Sequence, residues 1–468
     1  MVQLNRSMME RYEIADRRPQ TLRAAIFGAD QLMLGVAARL LDQANGACGD
    51  AGALCVTRAA EALSAQDCMF TLLVRGDLEQ GGHTNQEHVV QSILAAVNPE
   101  NDFEAFLSHA SRPELEMIFL SETCEAVDLA LAARFLHARM QADMPAPMVI
   151  LPGEHPDGEN RENIRRAMMA ISAGWTGADA FAAWLEKACF RLMLAESMSG
   201  PLNEKETAKA RHDMNYRDDF IAWAEPQLKC TADGPLPQCI ASACSDEDFE
   251  AACARKARVF DAAVFLCASV GYLSGMDSFA QVLKDERLRD WIGHAFFDEI
   301  LPTLPYAREE IAPAVISAFG RLENSMNDMP LMEIGRGLFR GFTRTLLPAI
   351  RAHAHREFEA PARLSLALSA AIMIYAGARK NDAGVYEIQR GEVSQAVHDD
   401  PEILEAFSQL AHDMPAESLA YAVLADRALW GEDLREIDGL EMRVCFDISS
   451  IQRIGLRETM RIQAEDKA

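Results

Sequence analysis

The first third of the chain alternates short apolar runs with stretches in which apolar residues recur at helical spacing. The short runs predict buried strands, and the spacings of three and four predict helices between them. Strands that alternate with helices in this way favour βαβ units and a mostly parallel sheet. The predicted strands are 24–28, 54–57, 69–74, 117–120 and 148–151, and the predicted helices are 32–41, 89–97 and 129–140.

Beyond residue 160 the strand patterns become rare. Segments 161–174 and 178–198 predict helices, and after residue 246 one helical pattern follows another, with breaks at prolines. Segment 363–379 is apolar on nearly every face, which predicts a core helix. The Pro/Gly-bearing segment 234–237 is the best candidate for a linker.

These patterns divide the chain into two domains, which its 468 residues are long enough to supply with separate cores. We expect a polar lead-in at 1–20, an α/β domain with a mostly parallel sheet at 21–245, and an all-α domain at 246–468. The sequence shows no internal repeat and no low-complexity tract.

The net charge and the cysteines indicate which partners and which compartment to expect. A net charge of −26 argues against nucleic acid and anionic membranes as partners, because both attract clustered Lys and Arg. The eleven cysteines include no Cys-x-x-Cys pair, so we expect reduced thiols and no metal site. The charged N-terminus, with Arg6, Glu10 and Arg11, lacks the apolar core of a signal peptide, so the cytoplasm is the default compartment.

One stretch, 256–275, carries the candidate chemistry. Residues 262–273 are almost wholly apolar and too few to cross a bilayer, so they predict a buried helix. Asp261 stands directly before them, at a position where a carboxylate caps the first free N–H groups. Lys256 and Arg258 lie just upstream.

This stretch resembles the signature of the polyol-specific long-chain dehydrogenases, which include mannitol dehydrogenase. Their motif reads Lys-x-Arg-apolar-apolar-Asn-Gly-x-His. Lys256 and Arg258 match it without a gap, while Asp261 replaces the asparagine and Val264 the histidine. Segments 363–368 and 424–434 resemble the tagaturonate reductase (altronate oxidoreductase) branch of that family.

The resemblance implies an N-terminal Rossmann-like domain that binds NAD(H), a helical substrate domain, and a sugar acid or polyol as substrate. On the cofactor side it implies roles for Gly28, Ala29 and Asp30 after the first strand. It also implies roles for Thr123 and Glu125 after the strand at 117–120. Asp30 stands where the family has a second glycine, so it could meet a pyrophosphate or simply cap the following helix.

On the substrate side, the resemblance implies that Lys256 is the general base and that position 261 contacts the developing alkoxide. Glu154 and His155 follow the strand at 148–151, and Arg321 and Asn324 match the family's Arg-Phe-x-Asn segment. For Lys256 with Asp261 the alternative reading is a structural ion pair at the start of a helix.

Two functions follow from this distribution of matches. Positions that build the fold agree with the family, whereas positions that would touch cofactor or substrate are replaced in several segments. The first hypothesis is a catalytically degenerate relative that acts as a binding or interaction protein, with a protein partner. The second is a working NAD(P)-dependent oxidoreductase on a hexuronate or polyol, which keeps Lys256 and uses His155 or Glu154.

Overall fold

A computed structural model describes residues 2–28, 33–47, 50–77, 83–121, 124–156, 158–202, 204–214, 216–323, 330–334, 337–390 and 393–465. The chain divides into two compact units, residues 1–253 and residues 254–468, and each is described by itself.

Unit 1 contains strands throughout its length. They are β1 (Val2–Gln3), β2 (Leu22–Phe27), β3 (Gly52–Val56), β4 (Phe70–Asp77), β5 (His83–Val90), β6 (Ile93–Val97), β7 (Met117–Leu120), β8 (Met148–Gly153), β9 (Phe190–Glu196), β10 (Ser199–Pro201), β11 (Tyr216–Arg217), β12 (Ala222–Ala224) and β13 (Lys229–Ala232).

Helices connect these strands. They are α1 (Arg6–Arg11), α2 (Arg39–Ala47), α3 (Ala60–Ser64), α4 (Phe103–Ser108), α5 (Ala126–Gln141), α6 (Gly158–Ser172), α7 (Ala178–Leu185), α8 (Glu204–Asp213), α9 (Gln238–Ala241) and α10 (Phe249–Lys256), the last of which continues into unit 2. A π-helical segment, Met33–Ala38, precedes α2, and a 3₁₀ turn, His109–Ser111, follows α4.

Among the described residues, seven strands form the main sheet in the order β13-β9-β8-β7-β2-β3-β6, parallel except for β13. Taken in chain order, the six parallel strands follow the doubly wound arrangement 3-2-1-4-5-6. The direction of winding reverses between β2 and β7. In sheets of this kind, ligands bind outside the carboxyl ends of the strands at that reversal. The predicted α/β domain with a mostly parallel sheet is confirmed.

The main sheet is buried on both faces, which explains the continuous apolar runs in the sequence. Along β2, Ala25 and Phe27 pack into one core cluster, whereas Ala24 and Ile26 pack into the cluster on the opposite face. This alternation is the two-residue period of a strand. Helix α5 covers the first face, where Phe135 makes an edge contact with the ring of Phe27.

Two segments of unit 1 predicted as helices are strands. Residues 89–97 belong to β5 and β6. The turn between them is bonded to α2 and to the π-helical segment before it: Asp42 accepts from the backbone N–H of Gln91 at 2.9 Å, and Ser92 donates to the carbonyl of Ala38 at 2.6 Å. Residues 190–196 form β9, because pairing with β8 overrides the helix propensity of the Leu, Met and Ala residues there.

The hairpin β4–β5 also departs from the predicted order. The predicted strand at 69–74 is present as β4, but β4 lies in a separate four-stranded sheet with order β10-β12-β4-β5. The strand that follows β3 in the main sheet is β6 instead. The apolar pattern predicted a strand at this point, and only the pairing decided to which sheet it belongs.

Unit 2 is mainly helical, as predicted. Its helices are α11 (Ala262–Leu273), α12 (Phe279–Lys284), α13 (Glu286–His294), α14 (Arg308–Glu323), α15 (Leu331–Ile334), α16 (Leu338–Phe342), α17 (Leu347–Glu357), α18 (Ala362–Tyr375), α19 (Pro401–Ser408), α20 (Ala416–Leu424), α21 (Arg427–Trp430), α22 (Leu440–Ile454) and α23 (Leu456–Glu465).

Three further features complete unit 2. The π-helical segments Ala257–Asp261 and Ala295–Ile300 continue neighbouring helices, and the turns Leu301–Thr303 and Leu434–Glu436 are 3₁₀. A small antiparallel sheet follows α18, with β14 (Arg379–Lys380), β15 (Tyr386–Arg390) and β16 (Val393–Ala396). Every residue of α18 is buried, so the predicted core helix is confirmed.

The N-terminus of α18 is held by a buried carboxylate from the segment Ala295–Ile300. Glu299 accepts from the backbone N–H of Arg363 at 3.0 Å and from that of Leu364 at 3.0 Å. Only 1% of the Glu299 side chain is exposed. A carboxylate in this position satisfies free N–H groups and interacts favourably with the helix dipole.

A second buried acid, Asp447 on α22, lies close to this cap. Its side chain has no exposure; Gln463 donates to Oδ1 at 3.2 Å, and the Arg443 guanidinium lies 3.6 Å away. Burial raises the pKa of the Asp447 carboxyl to about 7, an effect that Arg443 opposes and Glu299 reinforces. Asp447 is therefore protonated in the folded protein over a range in which it ionises in the unfolded chain.

We expect Asp447→Asn to increase the free energy of unfolding at pH 8 by about 1–4 kcal/mol, with a gain that shrinks toward pH 4. Below pH 4 the carboxyl is protonated in both states, and between pH 4 and 7 only the unfolded state releases the proton, so wild-type stability falls as pH rises. Urea unfolding at several pH values measures the difference. Asp382→Asn, at an exposed turn, is the matched control. An equal gain at pH 4 and pH 8 would contradict the assignment.

Candidate functional site

The stretch around Lys256 is a continuous helix in which the backbone changes from α to π and back. Lys256 ends α10, the π-helical segment Ala257–Asp261 follows, and α11 begins at Ala262. Asp261 has φ −71° and ψ −30° and makes no capping hydrogen bond. The prediction that Asp261 caps a helix is therefore wrong, because the preceding turns already supply acceptors for the N–H groups of α11.

The π turn brings two side chains together that an α-helix would separate. Residues five apart on an α-helix point about 140° away from each other, whereas a π turn places them on the same side. Nζ of Lys256 donates to Oδ1 of Asp261 at 2.8 Å. The two side chains are 6% and 13% exposed, so this is a nearly buried ion pair.

Arg321 joins this pair through an aromatic ring. Its guanidinium lies 4.1 Å from the centroid of the Phe260 ring, and Nζ of Lys256 lies 5.8 Å from the same centroid. The structure thus brings Lys256, Asp261 and Arg321 into one cluster around Phe260. Val264, one turn further along, is buried and adds no polar atom.

Arg258, the second basic residue of the motif, has a structural contact. Its guanidinium donates to Oγ1 of Thr303 at 2.8 Å, and burial lowers its pKa. Arg258 thereby anchors the π turn to the 3₁₀ turn Leu301–Thr303.

Unit 1 contains a separate cavity of about 430 Å³ at the carboxyl ends of its parallel strands. Residues that follow β2, β3, β6 and β7 line it, together with the first turns of α5. The cavity therefore lies at the reversal of strand order. Gly28 and Glu125 line it as predicted site residues, with Glu125 at the N-cap of α5.

Gly28 ends β2 in a conformation that suits glycine, with φ +74°. A Cβ at this position would lie 3.3 Å from Oδ2 of Asp128, in the first turn of α5. The carboxylate of Asp128 is thus packed against the backbone of the turn where the predicted cofactor site begins.

The remaining predicted residues are dispersed or not described. Glu154 is exposed and His155 half-buried in the loop after β8, and neither lines the cavity. Ala29, Asp30, Thr123 and Asn324 lie outside the described residues.

Comparison with known proteins finds similar sequences that cover most of the chain. Altronate oxidoreductase of Shigella flexneri is 25% identical over 434 residues, which cover 85% of this chain and 87% of that relative. The altronate oxidoreductase of Shigella sonnei is 26% identical over the same coverage. No protein-family model matches the chain.

Two solved structures share the fold. Mannitol 2-dehydrogenase of Pseudomonas fluorescens, solved as a ternary complex with NAD and D-mannitol, aligns with a TM-score of 0.74, 15% identity, and coverage of 99% of this chain and 100% of that one. A D-sorbitol dehydrogenase aligns with a TM-score of 0.71 and 15% identity, over 98% of this chain and 100% of that one. The chain has a mannitol dehydrogenase-like fold. The predicted family resemblance is confirmed.

The cavity of unit 1 does not fit the dinucleotide that the fold implies. Its described lining carries three carboxylates, of Glu100, Glu125 and Asp128, and one guanidinium, of Arg58. Two like unit charges 4 Å apart repel by about 4 kcal/mol at an effective dielectric constant near 20. A pyrophosphate beside Gly28 would face the Asp128 carboxylate at close range. We therefore assign no reaction step to a cofactor.

Arg58 and Glu100 form an ion pair at one end of the cavity. Doubly wound folds that bind a dinucleotide often have an acidic residue after the second strand. This chain has Thr57 and Arg58 there, and Glu100, after β6, pairs with Arg58 at 3.0 Å. Arg58 and Glu100 are both mostly exposed. Thus a carboxylate absent from the end of β3 is present on the neighbouring loop.

Sequence reasoning missed Asp128, Glu100 and Phe260. Asp128 could have been found, since it lies one helical turn after Glu125 at the start of a predicted helix. Glu100 and Phe260 had no such signal, because their roles depend on which strands are neighbours and on the π turn. In the described ranges, no group of three or more His, Cys, Asp or Glu side chains is placed to hold a metal ion. No described helix is long and apolar enough to span a bilayer.

Asp261→Asn should destabilise the chain by about 3 kcal/mol, because it leaves the buried ammonium of Lys256 without its carboxylate partner. Lys256→Met in the same background should recover most of that loss, which a double-mutant cycle in urea unfolding measures as a coupling energy. Glu436→Gln, which breaks the exposed pair with Arg427, is the control and should cost less than about 0.5 kcal/mol. A coupling energy near zero would refute the buried pair.

Proposed function

We propose that this chain is a catalytically degenerate mannitol dehydrogenase-like protein that acts by binding, with a sugar acid, a polyol or a protein as its partner. The single observation that carries the proposal is the nearly buried ion pair between Lys256 and Asp261, 2.8 Å apart. The pair occupies the positions where the family has its base and its alkoxide-binding amide.

The chemistry of alcohol oxidation explains why this pair opposes catalysis. Transfer of a hydride from a secondary alcohol needs a group that accepts the hydroxyl proton and donors that stabilise the oxyanion. The carboxylate of Asp261 accepts hydrogen bonds instead of donating them, and its negative charge repels a developing alkoxide. Loss of one oxyanion donor costs about 3–4 kcal/mol in other enzymes.

Val264 and the cavity in unit 1 support the same proposal. Val264 supplies no polar atom at the position of the family's histidine. The acidic lining near Gly28 opposes an anionic cofactor. Side chains in two separate parts of the chain thus both disfavour hydride transfer.

A second candidate function is an active NAD(P)-dependent oxidoreductase on a hexuronate or sugar alcohol. It is favoured by the retention of Lys256 and by Arg321, whose guanidinium on Phe260 could attract a substrate carboxylate. The relatives named altronate oxidoreductase suggest the substrate class.

The compartment that we propose is the cytoplasm. The described cysteines are free thiols, which is typical of proteins kept in a reducing environment.

We expect no turnover above background when the protein is mixed with NADH or NADPH and tagaturonate, fructuronate or fructose, or with NAD⁺ and altronate or mannitol. Absorbance at the reduced nicotinamide band measures the rate. Asp261→Asn with Val264→His, made in an Asp128→Asn background so that the cavity can admit the dinucleotide, should raise the rate from background, because it restores a donor and a polar group. Steady wild-type turnover that disappears in Lys256→Ala and persists in Lys284→Ala, an exposed control, would establish the second candidate instead.

A further inference from the structure

We propose that Asp128 is a specificity-determining residue that excludes phosphate-bearing ligands from the cavity of unit 1. The cavity then admits only ligands that carry no phosphate beside Gly28. The proposal concerns binding in unit 1, whereas the proposed function rests on the ion pair of Lys256 in unit 2 and takes the cavity only as support, so each can fail without the other.

The position of Asp128 follows from two elements that meet at the reversal of strand order. Gly28 ends β2, and Asp128 lies in the first turn of α5, which follows β7, the neighbour of β2. Oδ2 of Asp128 lies 3.3 Å from the point where a Cβ of Gly28 would stand. The carboxylate therefore covers the bare backbone that a doubly wound fold otherwise offers to a pyrophosphate.

The start of α5 strengthens this assignment. A helix N-terminus attracts negative charge, and in many folds it receives the phosphate of a ligand. Here Asp128 supplies that negative charge from the helix itself, together with Glu125 at the N-cap. A phosphate at the N-terminus of α5 would have to approach these two carboxylates, which already interact with the positive end of the helix dipole.

The basic residue of the cavity does not offset this charge. Arg58 donates from Nε to Glu100 at 3.0 Å, so the single guanidinium of the described lining is paired with a third carboxylate. The apolar part of the lining, which includes Phe27, Val56 and Leu131, leaves room for an uncharged ring or chain. The negative charge of the described lining therefore excludes anions, whereas the size of the cavity does not.

Binding of NADH, followed by its fluorescence and by titration calorimetry, tests the proposal without any assay of activity. Asp128→Asn should bind NADH at least tenfold more tightly than wild type, and Asp128→Ser should do the same if the asparagine variant folds poorly. Asp128→Glu keeps the charge and should bind as weakly as wild type. Asp179→Asn removes an exposed carboxylate from the first turn of α7 and should change nothing.

The comparison is repeated in an Asp30→Gly background, because Asp30 is a second acidic residue, two positions after Gly28 in the sequence. The tenfold gain from Asp128→Asn should appear in at least one of the two backgrounds. No gain in either background, or micromolar binding of NADH by wild type at low salt, would overturn the proposal.

Salt dependence separates repulsion from a merely structural role of Asp128. If the carboxylate repels the pyrophosphate, raising the ionic strength should tighten the weak binding of NADH by wild type, since salt screens like charges. The Asp128→Asn variant should show a clearly smaller change in that direction. Identical salt profiles of the two proteins would contradict electrostatic exclusion.

Discussion

The hydrogen-bonded ion pair between Lys256 and Asp261 depends on the π turn between α10 and α11. The turn accommodates one extra residue per helical turn, and this rotates Asp261 onto the side of Lys256. Placing two charges in a nearly buried position costs desolvation energy, which only a close partner offsets. The turn is fixed in its surroundings by Arg258, which reaches Thr303, and by Phe260, which lies against Arg321. Local backbone geometry thus decides which chemistry the motif can support.

π-helical segments are often found at functional sites, where they aim a side chain that a regular helix would misplace. In this chain the π turn lies within the motif in which two side chains of the family are exchanged. The backbone and the exchanged side chains have different physical requirements. Packing of α11, which is almost entirely buried, constrains the backbone, whereas chemistry alone would constrain the identities of residues 261 and 264.

In the doubly wound sheet of unit 1, too, the backbone and the side chains determine different properties of the site. The strand order places β2 and β7 side by side and opens a cavity at their carboxyl ends, where ligands of such folds bind. That opening is a property of the topology and does not depend on which side chains line it. The lining is acidic, so a cavity whose position suits a dinucleotide has electrostatics that oppose one.

The sequence by itself determined the elements with long apolar or periodic patterns. The parallel strands β2, β3, β7 and β8 and the buried helices α11 and α18 were predictable, because a strand or helix buried on all sides must be apolar along its whole length. The ion pair was predictable only as an alternative, since the sequence placed the two residues close but could not reveal the π turn. Tertiary structure decided that residues 190–196 form a strand, that β4 leaves the main sheet, and that Asp128 covers Gly28. Each of these depends on partners distant in the chain, and a local pattern contains no information about which distant segment will supply the hydrogen bonds or the charge.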